Sequence, residues 1–430
     1  MPHLRTIECE LVVIGTGMAG SAAALFAANR GIAVTQVGMT GEILFASGYL
    51  DLMGVHPIQK LRIWDDPWAA IDAVSRDIPG HPYAKLSKKE IQIAFEELLS
   101  FFRDTGIHYS SYDNRNLNAL TPMGTVKPTF CVPDTMWAGE TAMENRQPCL
   151  LVDIQGLKGF SARQIAIMLK ARWPQVHPVS IIFPGTEHLS EVYPEQMAGA
   201  LESPVIREKL AKVIRPLVNG RHAMGIPAIL GIYQTQDIVT DLQEKIGVAI
   251  FEIPTMPPSI TGLRIKNAFE RRLPKMGVQL FTQKRVLGVK TVDSGKKFIL
   301  NVGGQKTEQK ILARGVILAS GRFTGKGLHA ERKQIRETIF GLPVYQTWDR
   351  SQWHLRDFLD LRGHPINRAG LETDHLFRPL DRSGQPAFER LFAVGSILAH
   401  QDWMRMKCGS GLAIATAYKA VNAFIETIDL

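Results

Sequence analysis

The sequence of 430 residues has few cysteines and no long apolar run. The four cysteines form no C-x-x-C pair and join no Cys/His cluster with zinc-ligand spacing, so disulfide frameworks and zinc modules are excluded and we expect no metal site. No stretch of about 18 apolar residues could span a bilayer. The amino terminus also lacks the pattern of a secretory signal, and we therefore expect a cytoplasmic protein.

Composition favours a folded α/β enzyme over a disordered or fibrous chain. Hydrophobic residues make up 45% and charged residues 21%, enough apolar material for a large core. The net charge of +9 is spread along the chain and is not accompanied by a nucleic-acid-binding module. We therefore expect no nucleic-acid partner, and a small anionic substrate fits the basic balance.

A glycine-rich turn lies near the amino terminus between two predicted strands. Residues 10–14 (ELVVI) predict a buried strand, residues 21–29 an Ala-rich helix, and residues 32–37 a second strand. The turn reads G-x-G-x-x-G, which predicts a Rossmann-like phosphate site; the alternative is a turn in which the glycines serve packing alone. The glycines of this turn, taken as cofactor-binding residues, are Gly15, Gly17 and Gly20.

The acid that usually closes the second strand of such a unit is absent. An Asp or Glu about 20 residues after the first glycine binds a ribose hydroxyl in dinucleotide sites. This chain has Gln36 in that region, and we take it as a weaker ribose ligand, because Glu42 lies too far along the chain. The adenosine half of the cofactor is therefore less firmly predicted than the phosphate contact.

Three distant segments resemble the remaining parts of a flavin cleft. Residues 315–321 and 391–396 predict strands that end in small residues, and residues 408–413 begin an Ala-rich terminal helix whose amino end favours negative charge. Each segment alone is a common strand end or helix start. Together they predict six further cofactor-binding residues, with Ser396 in place of a usual Asp: Ser320, Gly321, Gly395, Ser396, Gly409 and Gly411.

Several longer blocks resemble one family, the B subunits of anaerobic glycerol-3-phosphate dehydrogenase, which are flavoproteins related to succinate dehydrogenase and fumarate reductase. The most specific block is P-x-x-P-P-S-x-x-G-x-R at 254–264. The others are S-G-Y-L-D-L at 47–52, L-T-P-M-G-T at 120–125, the turn at 319–327, and 392–398 continuing to Gly411. The resemblance adds Ser47 and Gly48 to the expected cofactor-binding residues.

This resemblance implies a two-dinucleotide-binding-domain flavoprotein of the glutathione-reductase type, Rossmann-like, with an inserted cap or substrate domain. We place the flavin domain at 1–55 and 276–430 and the insertion at 56–275. In this insertion, residues 88–103 and 161–172 have helical periodicity. In the returning chain, strands are expected near 278–281, 288–292 and 298–302, and the last two form a hairpin with Asp293, Ser294 and Gly295 between them.

The implied activity is oxidation of glycerol 3-phosphate to dihydroxyacetone phosphate, with electrons passing toward a membrane quinone in anaerobic respiration. The implied partners are a catalytic A-type subunit and a membrane-linked iron–sulfur C-type subunit, which would bring the chain to the cytoplasmic face of the inner membrane. The resemblance favours FMN as a noncovalent flavin, and the glycine motif suits FAD equally.

Catalytic residues are expected among the basic side chains. Arg264 follows the Pro-Pro-Ser turn and is our first candidate for a clamp on a phosphate or carboxylate; the alternative is a decoration of an exposed helix. Arg322 follows a predicted strand end and is expected to neutralise a flavin phosphate or hold the substrate anion. His400 is the candidate base because its ordinary pKa lies near neutrality, against the alternative of a surface-loop histidine.

Two other functional classes stay open on the sequence. One is a stand-alone soluble flavoprotein that acts, like fumarate reductases, on another small anionic substrate. The other is a flavin-less scaffold protein within a complex, a hypothesis supported by the absent acid after the second strand and by Ser396. Flavin content separates the scaffold from both enzyme hypotheses.

Overall fold

The structure is a computed structural model that describes residues 6–39, 41–293 and 296–428. Within these residues the chain forms 17 strands: β1 (Thr6–Ile14), β2 (Val34–Gly38), β3 (Tyr109–Ser111), β4 (Leu117–Leu120), β5 (Val126–Thr129), β6 (Cys131–Pro133), β7 (Cys149–Ile154), β8 (Val176–Ile181), β9 (Ala223–Pro227), β10 (Ala249–Ile253), β11 (Gln279–Thr282), β12 (Arg285–Val292), β13 (Lys297–Gly303), β14 (Thr307–Leu318), β15 (Leu328–Ala330), β16 (Ile335–Glu337) and β17 (Leu391–Ala393).

The same described residues form 11 α-helices, and none of these helices is both long enough and apolar enough to cross a bilayer. They are α1 (Met18–Asn29), α2 (Pro67–Asp77), α3 (Lys88–Asp104), α4 (Asp134–Glu144), α5 (Ala162–Leu169), α6 (Pro194–Ala200), α7 (Pro204–Ile214), α8 (Thr235–Ile246), α9 (Ile260–Arg272), α10 (Trp403–Met406) and α11 (Gly409–Ile428).

The chain divides into two compact units. The first contains residues 1–43, 51–100 and 269–430, and the second contains 44–50 and 101–268. These bounds differ from the predicted insertion at 56–275, because the first unit holds residues 51–100. Two ion pairs tie α3 to this unit: Glu90 to Lys419 of α11 at 2.6 Å, and Glu97 to Arg30 at 3.0 Å.

The first unit is built on a mixed sheet with the order β11-β2-β1-β14-β13-β12. The apolar run that ends in Ile14 makes β1 a central strand, parallel to β2 on one side and to β14 on the other. The first half of β14 pairs antiparallel with β13, and its last three residues pair parallel with β17. The carboxyl ends of β1, β14 and β17 therefore lie side by side.

The predicted β-α-β unit at the amino terminus is confirmed, with α1 between β1 and β2. Helix α1 is buried from Ala19 to Ala27, since its small side chains allow close packing on its neighbours. The contacts include an edge-on contact of Phe26 with Tyr418 of α11. The predicted hairpin is also confirmed: β12 and β13 pair antiparallel. Ser294 and Gly295 of its turn lie outside the described residues.

The second unit contains a separate parallel sheet with the order β10-β9-β7-β8. Chain order is thus reversed between β7 and β9, as in doubly wound α/β folds. A large apolar core surrounds this sheet and includes Trp173 and Phe251, whose rings stack at 6.3 Å. The α/β class expected from the sequence is confirmed in both units.

Candidate functional site

The glycine turn after β1 is tightly packed at two of its three glycines. Gly15 has a φ of +131°, and a Cβ placed there would lie 2.1 Å from the carbonyl oxygen of Ala319. A Cβ on Gly20 would lie 2.1 Å from the carbonyl oxygen of Gly15. Both glycines are therefore needed for the turn itself, which lets α1 and the end of β14 approach β1 closely.

Gly17 differs, because packing does not explain it. It is the N-cap of α1 with an extended backbone, and a Cβ there would meet nothing within 4 Å. No side chain caps this end of α1 among the described residues. Free backbone N–H groups at a helix start, with open space beside a glycine, fit a bound phosphate. The predicted role of Gly17 therefore has a geometric basis that is independent of the motif.

Gln36 is not placed to bind a ribose, and this part of the prediction is wrong. Its side chain is 2% exposed. Its amide nitrogen donates to the carbonyl oxygen of Gly15 at 2.9 Å and reaches the hydroxyl of Ser21 at 3.4 Å. Gln36 instead stabilises the glycine turn, because a buried amide group must form its hydrogen bonds with nearby protein groups.

The three segments predicted to form one crevice lie together in the first unit, the third of them through Ala413, whose Cα is 3.9 Å from the position of a Cβ on Gly395. Ile14, Leu318 and Ala393 are neighbours at the carboxyl ends of their strands. Beyond these ends, a Cβ on Gly395 would lie 2.6 Å from the Cβ of Ala19 in α1. A Cβ on Gly321 would lie 3.6 Å from the hydroxyl of Ser396. Ligands of open α/β sheets bind at such a cluster of strand ends.

Two polar groups at this cluster have no partner within the described residues. The hydroxyl oxygen of Ser320 is buried without a hydrogen bond. Glu42 is an exposed residue, although partial burial of its carboxyl group raises the pKa of that group, and its Oε2 lies 3.3 Å from the position of a Cβ on Gly321. Glu42 is not among the site residues predicted from the sequence, because it lies beyond the end of β2 along the chain. Thr16 in the glycine turn donates to the carbonyl oxygen of Met39 at 2.9 Å, which brings this part of the chain back to the crevice.

The side chain of Arg322 binds backbone carbonyls and is not free to bind a cofactor. Its terminal nitrogens donate to the backbone carbonyls of Asn367, Leu398 and Gln401, the last at 2.8 Å. Burial lowers the pKa of this guanidinium to about 10. The side chain thus holds three loop carbonyls together. This corrects the expectation that it neutralises a phosphate or a substrate anion.

The start of α11 is packed by protein groups. Gly411 donates its N–H to the carbonyl oxygen of Asp51 at 2.7 Å, and a Cβ there would lie 2.2 Å from the phenolic oxygen of Tyr83. A Cβ on Gly409 would lie 2.9 Å from the ring of Trp403. Close packing within the first unit accounts for both glycines, and their contact with a cofactor stays a prediction.

His400 forms a histidine–carboxylate pair. Its Nε2 lies 2.8 Å from Oε1 of Glu372, and its ring packs against Tyr345 at 4.0 Å and against Gly80. The surface-loop alternative does not describe this side chain, which is 18% exposed. A carboxylate on one ring nitrogen orients the other, as in many histidine bases. Its catalytic role stays a prediction.

Arg264 is occupied in the second unit, which makes its predicted role as an anion clamp wrong. Its guanidinium donates to both carboxylate oxygens of Glu252, at 2.6 and 2.8 Å, and to the carbonyl oxygen of Gly231. Arg264 is 7% exposed and Glu252 2% exposed. Buried charges need such pairing, and the pair leaves little net charge for a substrate anion.

Ser47 and Gly48 lie in the short segment of the second unit, and the P-P-S-x-T-G block anchors this segment. Ser259 donates its hydroxyl to the carbonyl oxygen of Ala46 at 2.6 Å, and Thr261 donates to the same oxygen at 3.1 Å. A Cβ on Gly48 would lie 3.2 Å from the Cβ of Thr261. The specificity of this block therefore has a structural cause.

Gly48 also lines a pocket of the second unit that could not be predicted from the sequence. The pocket contains the amino end of α8 and the side chains of His108, Tyr109 and Arg264. The phenolic oxygen of Tyr109 is buried without a partner. Nothing in the sequence separates this tyrosine from an ordinary core aromatic.

The residues of the first unit fit a flavin nucleotide. Open space at Gly17, the uncapped start of α1 and the unpartnered Ser320 are features that a phosphate and its attached hydroxyl chain would use. When bound, a flavin supplies two-electron redox chemistry.

Comparison with known proteins agrees with this geometry. The family model described as FAD binding domain matches residues 10–412. A protein of Halobacterium salinarum (strain R1), named as a probable B subunit of anaerobic glycerol-3-phosphate dehydrogenase, is 30% identical over 438 residues, 98% of this chain and 99% of that protein. The B subunit of the same dehydrogenase from Vibrio vulnificus (strain YJ016) is 28% identical over 429 residues, 97% of this chain and 96% of that protein.

Among solved structures, 3-ketosteroid Δ1-dehydrogenase from Sterolibacterium denitrificans is 12% identical with a TM-score of 0.43, covering 98% of this chain and 100% of that chain. A TM-score below 0.5 supports no inference about this chain. The family match and the full-length relatives settle the fold as that of an FAD-binding flavoprotein. The chain belongs to the FAD binding domain family and to the family of anaerobic glycerol-3-phosphate dehydrogenase B subunits.

Proposed function

We propose that this chain is the flavin-binding subunit of a complex that oxidises glycerol 3-phosphate to dihydroxyacetone phosphate and passes the electrons toward a membrane quinone. The proposal rests on one observation: the strand ends that precede Gly17, Ser320 and Ser396 lie side by side, in a chain similar over its whole length to B subunits of that dehydrogenase. A flavin oxidoreductase role follows from the family, and the particular substrate is the proposed part.

Oxidation of a secondary alcohol needs a base for the hydroxyl proton while two electrons leave with the hydrogen on carbon. We assign the base to His400. With hydrogen on Nε2, the ring donates to Glu372, and Nδ1 is left to accept the proton. Glu372 then acts as a positioning residue, because its carboxylate fixes the orientation of the ring.

We take the bound flavin to be FAD, held without a covalent bond, because the family model is that of an FAD-binding domain. FMN is the alternative. The mass of the cofactor released from purified protein distinguishes the two.

The partners we propose are an A-type catalytic subunit and a membrane-linked iron–sulfur C-type subunit, since the relatives are named as one subunit of a dehydrogenase. Through them the chain would lie at the cytoplasmic face of the inner membrane.

Anaerobic titration of the purified holoprotein with glycerol 3-phosphate tests the proposal. When the chain is combined with its partner subunits, we expect one equivalent of glycerol 3-phosphate to bleach the flavin absorbance. Glycerol, the control, should leave the absorbance unchanged. A colourless chain without extractable flavin would make it a scaffold. Bleaching by a different anionic substrate, with none by glycerol 3-phosphate, would make it a stand-alone flavoenzyme.

A further inference from the structure

We propose that Glu42 is the residue that binds the sugar hydroxyls of the flavin nucleotide, replacing the two acids that this chain lacks. One missing acid is the one expected at the end of β2. In that strand Gln36 donates its side-chain hydrogen bond to the glycine turn instead. The other is the Asp expected at Ser396. This inference requires that the cofactor of the proposed function lies in the crevice of the first unit.

The position of Glu42 supports this role. Its Oε2 and the hydroxyl of Ser396 both lie within 3.6 Å of the point where a Cβ of Gly321 would stand. Its Oε1 lies 3.4 Å from the corresponding point of Gly325. Gly321 has a φ of +68°, a conformation that favours glycine. The absence of a side chain at this residue leaves room for the carboxylate of Glu42 beside the turn.

The chemistry of the surroundings points to hydroxyl groups as the ligand. The side chain of Glu42 has no ion pair or hydrogen bond with any described residue, and Ser320, which precedes Gly321 in the same turn, has a buried hydroxyl without a partner. A carboxylate repels phosphate but accepts strong hydrogen bonds from hydroxyls. Ribityl and ribose chains carry such hydroxyls next to the phosphates, which the free N–H groups at Gly17 attract.

The test is the affinity of the apoprotein for FMN and for FAD, measured by quenching of flavin fluorescence. We expect Glu42→Gln to weaken binding roughly 10- to 100-fold, the effect of losing a hydrogen bond to a charged acceptor. Equal weakening for both nucleotides identifies the ribityl chain as the partner, since both contain it. Weakening for FAD alone identifies the ribose. Glu96→Gln, an exposed acid of α3 in the same unit, is the matched control and should bind as the wild type does.

Relocation of the carboxylate provides the second test. Ser396→Asp should restore most of the lost affinity in the Glu42→Gln background, because the acid returns to the same small region from the other side. In the wild-type background the same substitution places two carboxylates together and should weaken binding. Unchanged thermal unfolding of each apoprotein shows that the variants fold.

Unchanged affinity of Glu42→Gln for both nucleotides, with a normally folded protein, would overturn the assignment while leaving flavin binding intact. Absence of flavin binding in the wild type would instead overturn the proposed function. The two failures are therefore distinguishable.

Discussion

At the scale of single residues, the three glycines of the first turn have separate duties that substitution can resolve. Gly17→Val adds a side chain into the open space in which we propose that the phosphate binds, and the extended backbone of this residue accepts valine. We expect this variant to keep its unfolding temperature as apoprotein and to lose stoichiometric flavin, measured by absorbance after desalting. Retention of flavin would refute the placement of the phosphate.

Gly15→Ala is the matched comparison. A Cβ at this residue meets the backbone of Ala319 at a φ of +131°, so the strain falls on the fold itself. We expect the free energy of unfolding to fall by about 1–3 kcal/mol or more, in contrast to Gly17→Val.

His81 predicts a pH dependence of stability. This side chain is 0% exposed, and its Nδ1 accepts the N–H of Tyr83. Burial, together with the charges of His56, His400 and Lys85, lowers its pKa from 6.5 to about 3. Only the unfolded chain takes up a proton between these values. The contribution of His81 to the free energy of unfolding is therefore fully present above pH 6.5. As the pH decreases below 6.5, the free energy of unfolding decreases by at most ~1.4 kcal/mol per pH unit.

Urea unfolding of the wild type and of His81→Gln, each between pH 7.5 and roughly 5, measures this contribution. Glutamine keeps an acceptor for Tyr83 but binds no proton, so we expect a flatter pH profile for the variant. Parallel profiles would show that His81 does not resist protonation in the folded state.

The glycine turn could be predicted from the sequence because two of its glycines are required by close packing, whereas the roles predicted for the charged residues were wrong. Arg264 and Arg322 were visible as cations. Their partners, Glu252 and three backbone carbonyls, come from distant parts of the chain and could not be read from local spacing. Glu42 was missed for the opposite reason: a loop after β2 brings it back to the crevice.

At the scale of elements, the predicted bounds of helices and strands with clear periodicity lie close to the observed bounds. Helix α3 and the β12–β13 hairpin are examples. The pairing of β14 with three strands was not predictable in the same way. The apolar pattern of a strand indicates that the strand is buried. It does not indicate which other strand pairs with its first half and which pairs with its second half. Convergence of the strand ends was inferred only because three segments resembled parts of one cleft.

The P-P-S-x-T-G block yields a prediction at this scale. Ser259 caps α9 by accepting the N–H of Gly262 at 3.0 Å, and its hydroxyl also donates to the carbonyl oxygen of Ala46. Ser259→Ala loses both bonds, and we expect the free energy of unfolding to fall by about 1–2 kcal/mol. Ser203→Ala is the control, because Ser203 is the N-cap of α7 but makes no side-chain cap. Equal losses in the two variants would contradict the anchoring role.

At the scale of the whole molecule, the four most exposed large apolar side chains among the described residues lie in one segment of the first unit. Trp348, Phe358, Leu359 and Leu361 are 77%, 87%, 80% and 65% exposed, all within residues 345–364. Exposed large apolar side chains close together mark interaction sites. The charges of this segment balance, with three arginines against three aspartates, so it gains little from an anionic membrane. A protein surface with apolar pockets, as a subunit of the proposed complex would offer, is the better match.

Replacing two of these side chains tests that partner assignment. We expect Phe358→Ser with Leu359→Ser to weaken assembly with co-expressed partner subunits roughly 30-fold or more, the effect of losing an apolar hot spot, while flavin content stays unchanged. Ile167→Ser with Met168→Ser is the matched control, since these α5 side chains of the second unit are 64% and 55% exposed. Pull-down of the partners and flotation with anionic vesicles are measured together. Intact assembly combined with lost vesicle binding would assign the segment to the lipid surface instead, because only the lipid contact would then depend on its apolar side chains.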